Sequence, residues 1–144
     1  QSNRSPHRPR IRLDPVRYTL LICAAPQSGE ASSSAYRFAK AALASGHSIE
    51  RLFFYGDGAH NASRLTVMPQ DEPNLPARWD ALIREHRLES TACVSSAIRR
   101  GVVDATESAR HELDAVSCYD SSEIGGLGQL IDAMSRADRV VSFG

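Results

Sequence analysis

Residues 18–24, Tyr18-Thr19-Leu20-Leu21-Ile22-Cys23-Ala24, form a short unbroken apolar run. Its β-branched and aromatic content suits a strand buried on both faces, as strands of a parallel sheet are. A loop with Pro26, Ser28 and Gly29 follows. Ser32, Ser33 or Ser34 is expected to cap a helix running to about Ser45, with Tyr36, Ala39, Ala42 and Leu43 on one face and Gly46 at its stop. Ile49 to Tyr55, centred on Leu52-Phe53-Phe54, reads as a second strand. Strand, helix and strand within about 40 residues form a right-handed crossover unit.

Downstream the same alternation continues. Gly56-Asp57-Gly58-Ala59-His60-Asn61 is a turn-rich strand exit, and residues 66–76, with Pro69, Pro73 and Pro76, read as an irregular loop. Pro76 suits the first turn of a helix whose apolar face carries Trp79, Leu82, Ile83 and His86. Ser90 to Val94 is a third strand, and Ser95-Ser96 can cap a helix through Arg99. Asp104 or Thr106 starts a stretch reaching about Leu113, and residues 116–120 read as a weak strand. Gly126 to Ala137 reads as a helix and Arg139 to Phe143 as a final strand. The expected fold is α/β: three α/β/α layers around a mostly parallel sheet of about five strands.

The 144 residues suit one domain, and a chain of this length buries roughly 68% of its unfolded surface, enough for a core without metal or disulfide staples. No apolar run approaches the ~20 residues that span a bilayer, and no secretory h-region follows the basic start, so a membrane or secreted protein is not expected. Net charge is zero, which argues against a main role in gripping phosphate backbones. The balance hides an asymmetry. Residues 1–17 hold five arginines against Asp14 and carry +4; the remainder carries −4. Gln1-Ser2-Asn3 resembles a purification-tag remnant. Residues 1–16 thus read as a basic, solvated arm and 17–144 as the domain.

Cys23, Cys93 and Cys118 form no CxxC pair and no zinc-ligand spacing with the five histidines, so no metal site is expected. Unpaired thiols fit a reducing cytoplasm. In open parallel sheets, reactive groups gather where strands end and helices begin, and Cys93 is at such a junction. A helix start favours thiolate over thiol, and Arg99 and Arg100 could add positive potential. The competing reading is a small buried hydrophobe, which suits Cys23 well. His60 and Asn61, leaving the second strand at the same sheet edge, could line a shared pocket. Cys118 sits in a polar stretch and reads as incidental.

Other patterns are weak. Cys93 to Arg99 obeys the C-x5-R spacing of cysteine phosphatases, but lacks the glycine for close backbone approach, and Arg100 replaces the usual Ser or Thr. Pro26-Gln27-Ser28-Gly29 lacks the Gly-Lys-Ser/Thr ending of a P-loop. Gly126-Leu127-Gly128 has Ile131 where a dinucleotide fingerprint needs glycine, and the serines near 32–34 have no triad partners.

Taken together, ordered segments resemble the DsrE/TusD sulfurtransferases. Ala92-Cys93-Val94-Ser95-Ser96-Ala97-Ile98-Arg99-Arg100-Gly101-Val102-Val103-Asp104 is similar to that family's cysteine segment. Phe53-Phe54-Tyr55-Gly56-Asp57-Gly58-Ala59-His60-Asn61-Ala62 also matches, as do Ser34 to Ala41, Gly46-His47, Pro69 to Glu72 with Arg78-Trp79, Gly126 to Leu130, and Ala137 to Val141. The resemblance implies a DsrEFH-like fold and a persulfide carried on Cys93, without cofactor. It implies assembly with TusC/DsrF-like and TusB/DsrH-like subunits into a dimer of heterotrimers. A TusA-like donor would supply the sulfur and a TusE/DsrC-like protein receive it, with no direct nucleic-acid or membrane contact. The destination would be the 2-thio group of a tRNA wobble uridine, or sulfur oxidation in the Dsr branch. The basic arm departs from the family pattern. A cysteine phosphatase and a non-catalytic scaffold subunit are the alternatives of other classes.

Overall fold

Five parallel strands lie in the order β4-β3-β2-β1-β5 in a computed structural model that describes residues 14–144. The strands are β1 Arg17–Ile22, β2 Ser48–Phe54, β3 Ser90–Cys93, β4 Glu123–Gly125 and β5 Arg139–Phe143. The helices are α1 Ala31–Ala44, α2 Leu75–His86, α3 Val94–Arg99, α4 Ala105–Arg110 and α5 Leu127–Arg136, with a 3-10 segment at Gly56–Ala62. Most of the predicted basic arm lies outside the described residues. No described helix is long and apolar enough to cross a membrane.

The strand order explains the layering. From β1 the chain steps one way through β2 and β3 to β4, then crosses back through α5 to pair β5 with β1. Right-handed crossovers therefore put α1 and α2 on one face and α5 on the other. Alternation within β1 serves both faces. Leu20 and Ile22 join Ala35, Ala39, Leu52, Phe54, Trp79 and Leu82 in the main core. The Thr19 hydroxyl donates to the Ala133 carbonyl of α5 at 3.0 Å. That second face is more polar: Arg51 bonds Thr91 and Glu123, and so holds the short β4 against β3.

Three local expectations are corrected. No serine caps α1: its N-cap is Glu30, and Ser32, wholly buried, donates to the Ala24 carbonyl at 2.5 Å. Residues 116–120 form no strand; Cys118 makes an isolated antiparallel bridge to Ser63, and the sheet's fourth strand is Glu123–Gly125. Ser95-Ser96 do not precede their helix, because α3 starts at Val94 with Cys93 as N-cap. Elsewhere Asp104 starts its helix as expected, accepting from Glu107 N–H at 2.8 Å, and Asn74 caps α2 by accepting from Ala77 N–H at 3.1 Å. Gly46, at φ 86°, follows α1 as its stop residue.

The 3-10 segment lies across the ends of the central strands. Tyr55 N–H bonds the Ile22 carbonyl at 2.9 Å. Gly58 packs so closely that a Cβ there would collide with that same carbonyl. Only glycine keeps this segment seated.

Candidate active site

Cys93 is the last residue of β3 and the N-cap of α3, paired in register with Gly125 of β4. The all-buried strand sequence Ser90-Thr91-Ala92-Cys93 delivers it to the C-terminal sheet edge. Only 3% of its surface is exposed, yet its neighbour Ser95 is exposed, so the sulfur lies just beneath the surface. Sγ of Cys93 and Oγ of Ser95 share a hydrogen bond at 3.4 Å.

The sulfur's surroundings favour ionisation. Burial pushes the Cys93 thiol up, but the hydroxyls and backbone N–H groups of Ser95 and Ser96 outweigh it, and the net displacement is downward. Ser96 is itself braced. Its Oγ accepts from Gly56 N–H at 2.9 Å, which leaves the hydroxyl proton free to point at the sulfur. The strand exit after β2 is thereby joined to the helix after β3.

The other thiols are of a different kind. Burial raises Cys23. Cys118 is pushed up to about 12, by burial first and then by the charges of Asp104 and Asp120. It is 1% exposed and donates to the carbonyls of Tyr119 and Ser122 at 3.4 and 3.6 Å. A thiol held neutral is a poor nucleophile, so Cys93 stands alone among the three.

The remaining candidates fall in other places. Arg100 pairs with Asp57 at 2.9 Å and donates to the Ser96 carbonyl, bracing α3 rather than figuring among the causes of the thiol's shift. Arg99 lines a cavity of about 320 Å³ with Ile98, Val103, His111 and Leu113. The C-x5-R stretch is thus a helix and not a loop wrapped around an anion. Asn61 is 1% exposed, and its amide donates to the Ala24 and Gly58 carbonyls and to Ser32, which ties the 3-10 segment to the loop after β1. His60 is half-buried in the same segment. Sequence reasoning missed Gly56, Asp57 and the bracing role of Ser96. Two consecutive serines after a strand-end cysteine were the available signal, and they read equally well as caps.

Comparison with known proteins concerns the chain as a whole. The DsrE/DsrF-like family model matches residues 16–143. A protein named DsrE from Allochromatium vinosum is 46% identical over 129 residues, covering 90% of this chain and 99% of its own. The sulfurtransferase TusD homolog of Pseudomonas aeruginosa is 45% identical over 119 residues, covering 83% of this chain and 91% of its own. Among solved structures, the ychN protein from E. coli superposes with a TM-score of 0.71 at 20% identity, over 89% of this chain and 99% of that one, a likeness of fold. The match of a family model over nearly the whole described chain, together with these relatives, shows that the chain belongs to the DsrE/DsrF-like family.

Proposed function

We propose that this protein is a persulfide sulfurtransferase that carries sulfane sulfur on Cys93. The Cys93 thiolate attacks the outer sulfur of a donor persulfide; a new S–S bond forms, the donor's S–S bond breaks, and the donor leaves as a thiolate. An acceptor thiolate then attacks the outer sulfur of the Cys93 persulfide and releases Cys93 as thiolate. Oxidation states balance across the two exchanges, and neither step needs an external oxidant. The carrying observation is the asymmetry among the cysteines: one thiol lowered at a sheet edge, two raised by burial. The sulfurtransferase names of TusD relatives support the same reading.

The family role that fits is the TusD-like subunit of a relay with TusC- and TusB-like subunits, a TusA-like donor and a TusE-like acceptor, acting in the cytoplasm toward 2-thiolation of the tRNA wobble uridine. A DsrE-like role in sulfur oxidation, with a DsrC-like acceptor, is the second reading, favoured by the 46% identity to the DsrE of Allochromatium vinosum.

Intact-mass spectrometry after exposure to a persulfide donor tests the chemistry. A reductant-labile gain of one sulfur on Cys93, absent in a folded Cys93→Ser variant, is the expected result. Retained loading in that variant would overturn the assignment. No loading on either chain in the presence of its partner subunits would leave a scaffold.

A further inference from the structure

We infer that the groove between α1, α2 and the loop joining the 3-10 segment to α2 is a docking site for an acidic, amphipathic segment of a partner polypeptide. The groove encloses about 570 Å³, and its wall carries Arg37, Lys40 and Arg78 against a single acid, Glu72, with Tyr36 and Met68 supplying apolar surface. None of the three cations is within ion-pair distance of a carboxylate among the described residues. A chain whose residues beyond position 17 are net negative therefore gathers unpaired positive charge at one concave place.

A second, separate observation concerns the loop that brings Met68 to the groove. Just ahead of Met68 it exposes Leu65 by 60% and Val67 by 89%. It is held in place all the same, with the Asn74 amide donating to the Thr66 carbonyl at 2.9 Å. A small anion seated among the cations would leave both of these loop side chains in water. A polypeptide crossing the groove covers them while its carboxylates meet the cations, which is the division between apolar anchor and charged steering found at protein interfaces. The site is distinct from Cys93 and does not depend on the chemistry proposed for it.

The chain supplies its own reporters. Trp79, its one tryptophan, stacks edge-on against the groove residue Tyr36 at 5.3 Å between ring centroids. Lys40 is its one lysine.

The experiment titrates the full chain with a fluorescein-labelled peptide that alternates glutamate with leucine and phenylalanine, beside a lysine-for-glutamate control peptide, inorganic phosphate and a single-stranded oligonucleotide. Saturable binding of the acidic peptide, a change in Trp79 emission and carbodiimide coupling of a peptide carboxylate to Lys40 are expected. Binding should weaken about tenfold in an Arg37→Glu, Arg78→Glu double variant with an unchanged melting temperature, and survive in Cys93→Ser. Binding that is absent, or indifferent to the charge reversals, would overturn the inference. Phosphate or the oligonucleotide binding at least as tightly would overturn it too. Should the double variant fail to fold, Lys40→Glu alone, with coupling lost and anisotropy reduced, decides the question.

Discussion

Arg100 and Asp57 hold the two halves of the candidate site together. Nε of Arg100 meets Oδ1 of Asp57 at 3.0 Å, while Nη1 of the same guanidinium donates to the Ser96 carbonyl at 3.0 Å. One side chain thus clips the 3-10 segment to the helix that Cys93 caps.

Replacing Arg100 by alanine should cost less than about 1 kcal/mol, because Asp57 is largely exposed and water screens the pair. The titration of Cys93 should stay where it is, since serine donors rather than guanidinium charge favour its thiolate. Chemical denaturation and a pH profile of alkylation check both halves. Arg99→Ala should leave sulfur loading unchanged, and a phosphatase-like dependence on Arg99 would contradict the helix geometry.

Ser96→Ala removes a donor to the sulfur and strands the Gly56 N–H. Cys93 should then titrate higher, and loading at neutral pH should slow several-fold. Stability should fall by about 1 kcal/mol for the lost buried partner. Ser95→Ala should raise the Cys93 titration with little loss of stability, because Ser95 is exposed. Stopped-flow alkylation across pH separates the two variants.

Alkaline stability should carry the signature of Cys118. Its folded thiol is pushed up to about 12, against 9.0 for the ordinary group. Below pH 9 folded and unfolded chains both hold the proton, and stability is intact. As pH rises from 9 toward 12 the unfolded chain releases that proton first, and stability should fall by a few kcal/mol. Urea titrations of the native chain and Cys118→Ala should therefore diverge in this window, with the variant showing the flatter slope and unchanged loading at Cys93.

Gly58→Ala should be among the most damaging single-methyl changes, costing roughly 2–3 kcal/mol, because the added Cβ strikes the fixed Ile22 carbonyl. The melting temperature checks it. Alanine at Gly126, where no atom crowds the Cβ position and φ is −97°, is the control.

Elements with strong apolar patterns were legible in the sequence. The run around Leu20 and Ile22 and the Leu52-Phe53-Phe54 centre lie inside the sheet, where parallel strands need apolar residues on both faces, and the closing Arg139–Phe143 strand forms its largely exposed edge. β4 was hidden. It has three residues, one of them Glu123, and it is a strand because Arg51 and Thr91 reach across to it from β2 and β3. Such a tertiary contact leaves no local pattern. Cys93 was legible from its place after a buried strand, whereas the Gly56–Ser96 bond joins residues 40 apart in sequence and shows only once β2 and β3 are side by side. The bonds that Asn61 makes were equally hidden: its amide joins the 3-10 segment to the β1 exit across 37 residues of sequence.

The pairing of β5 with β1 also bears on synthesis. The Arg17 amide bonds to Asp138, 121 residues away, and Cys23 N–H closes on the Phe143 carbonyl. A nascent chain therefore emerges with β1 first and waits for its far neighbour until residues 139–143 have cleared the ribosome. Ordering so distant a pair slows folding, and through that interval one flank of β1 is open to chaperones.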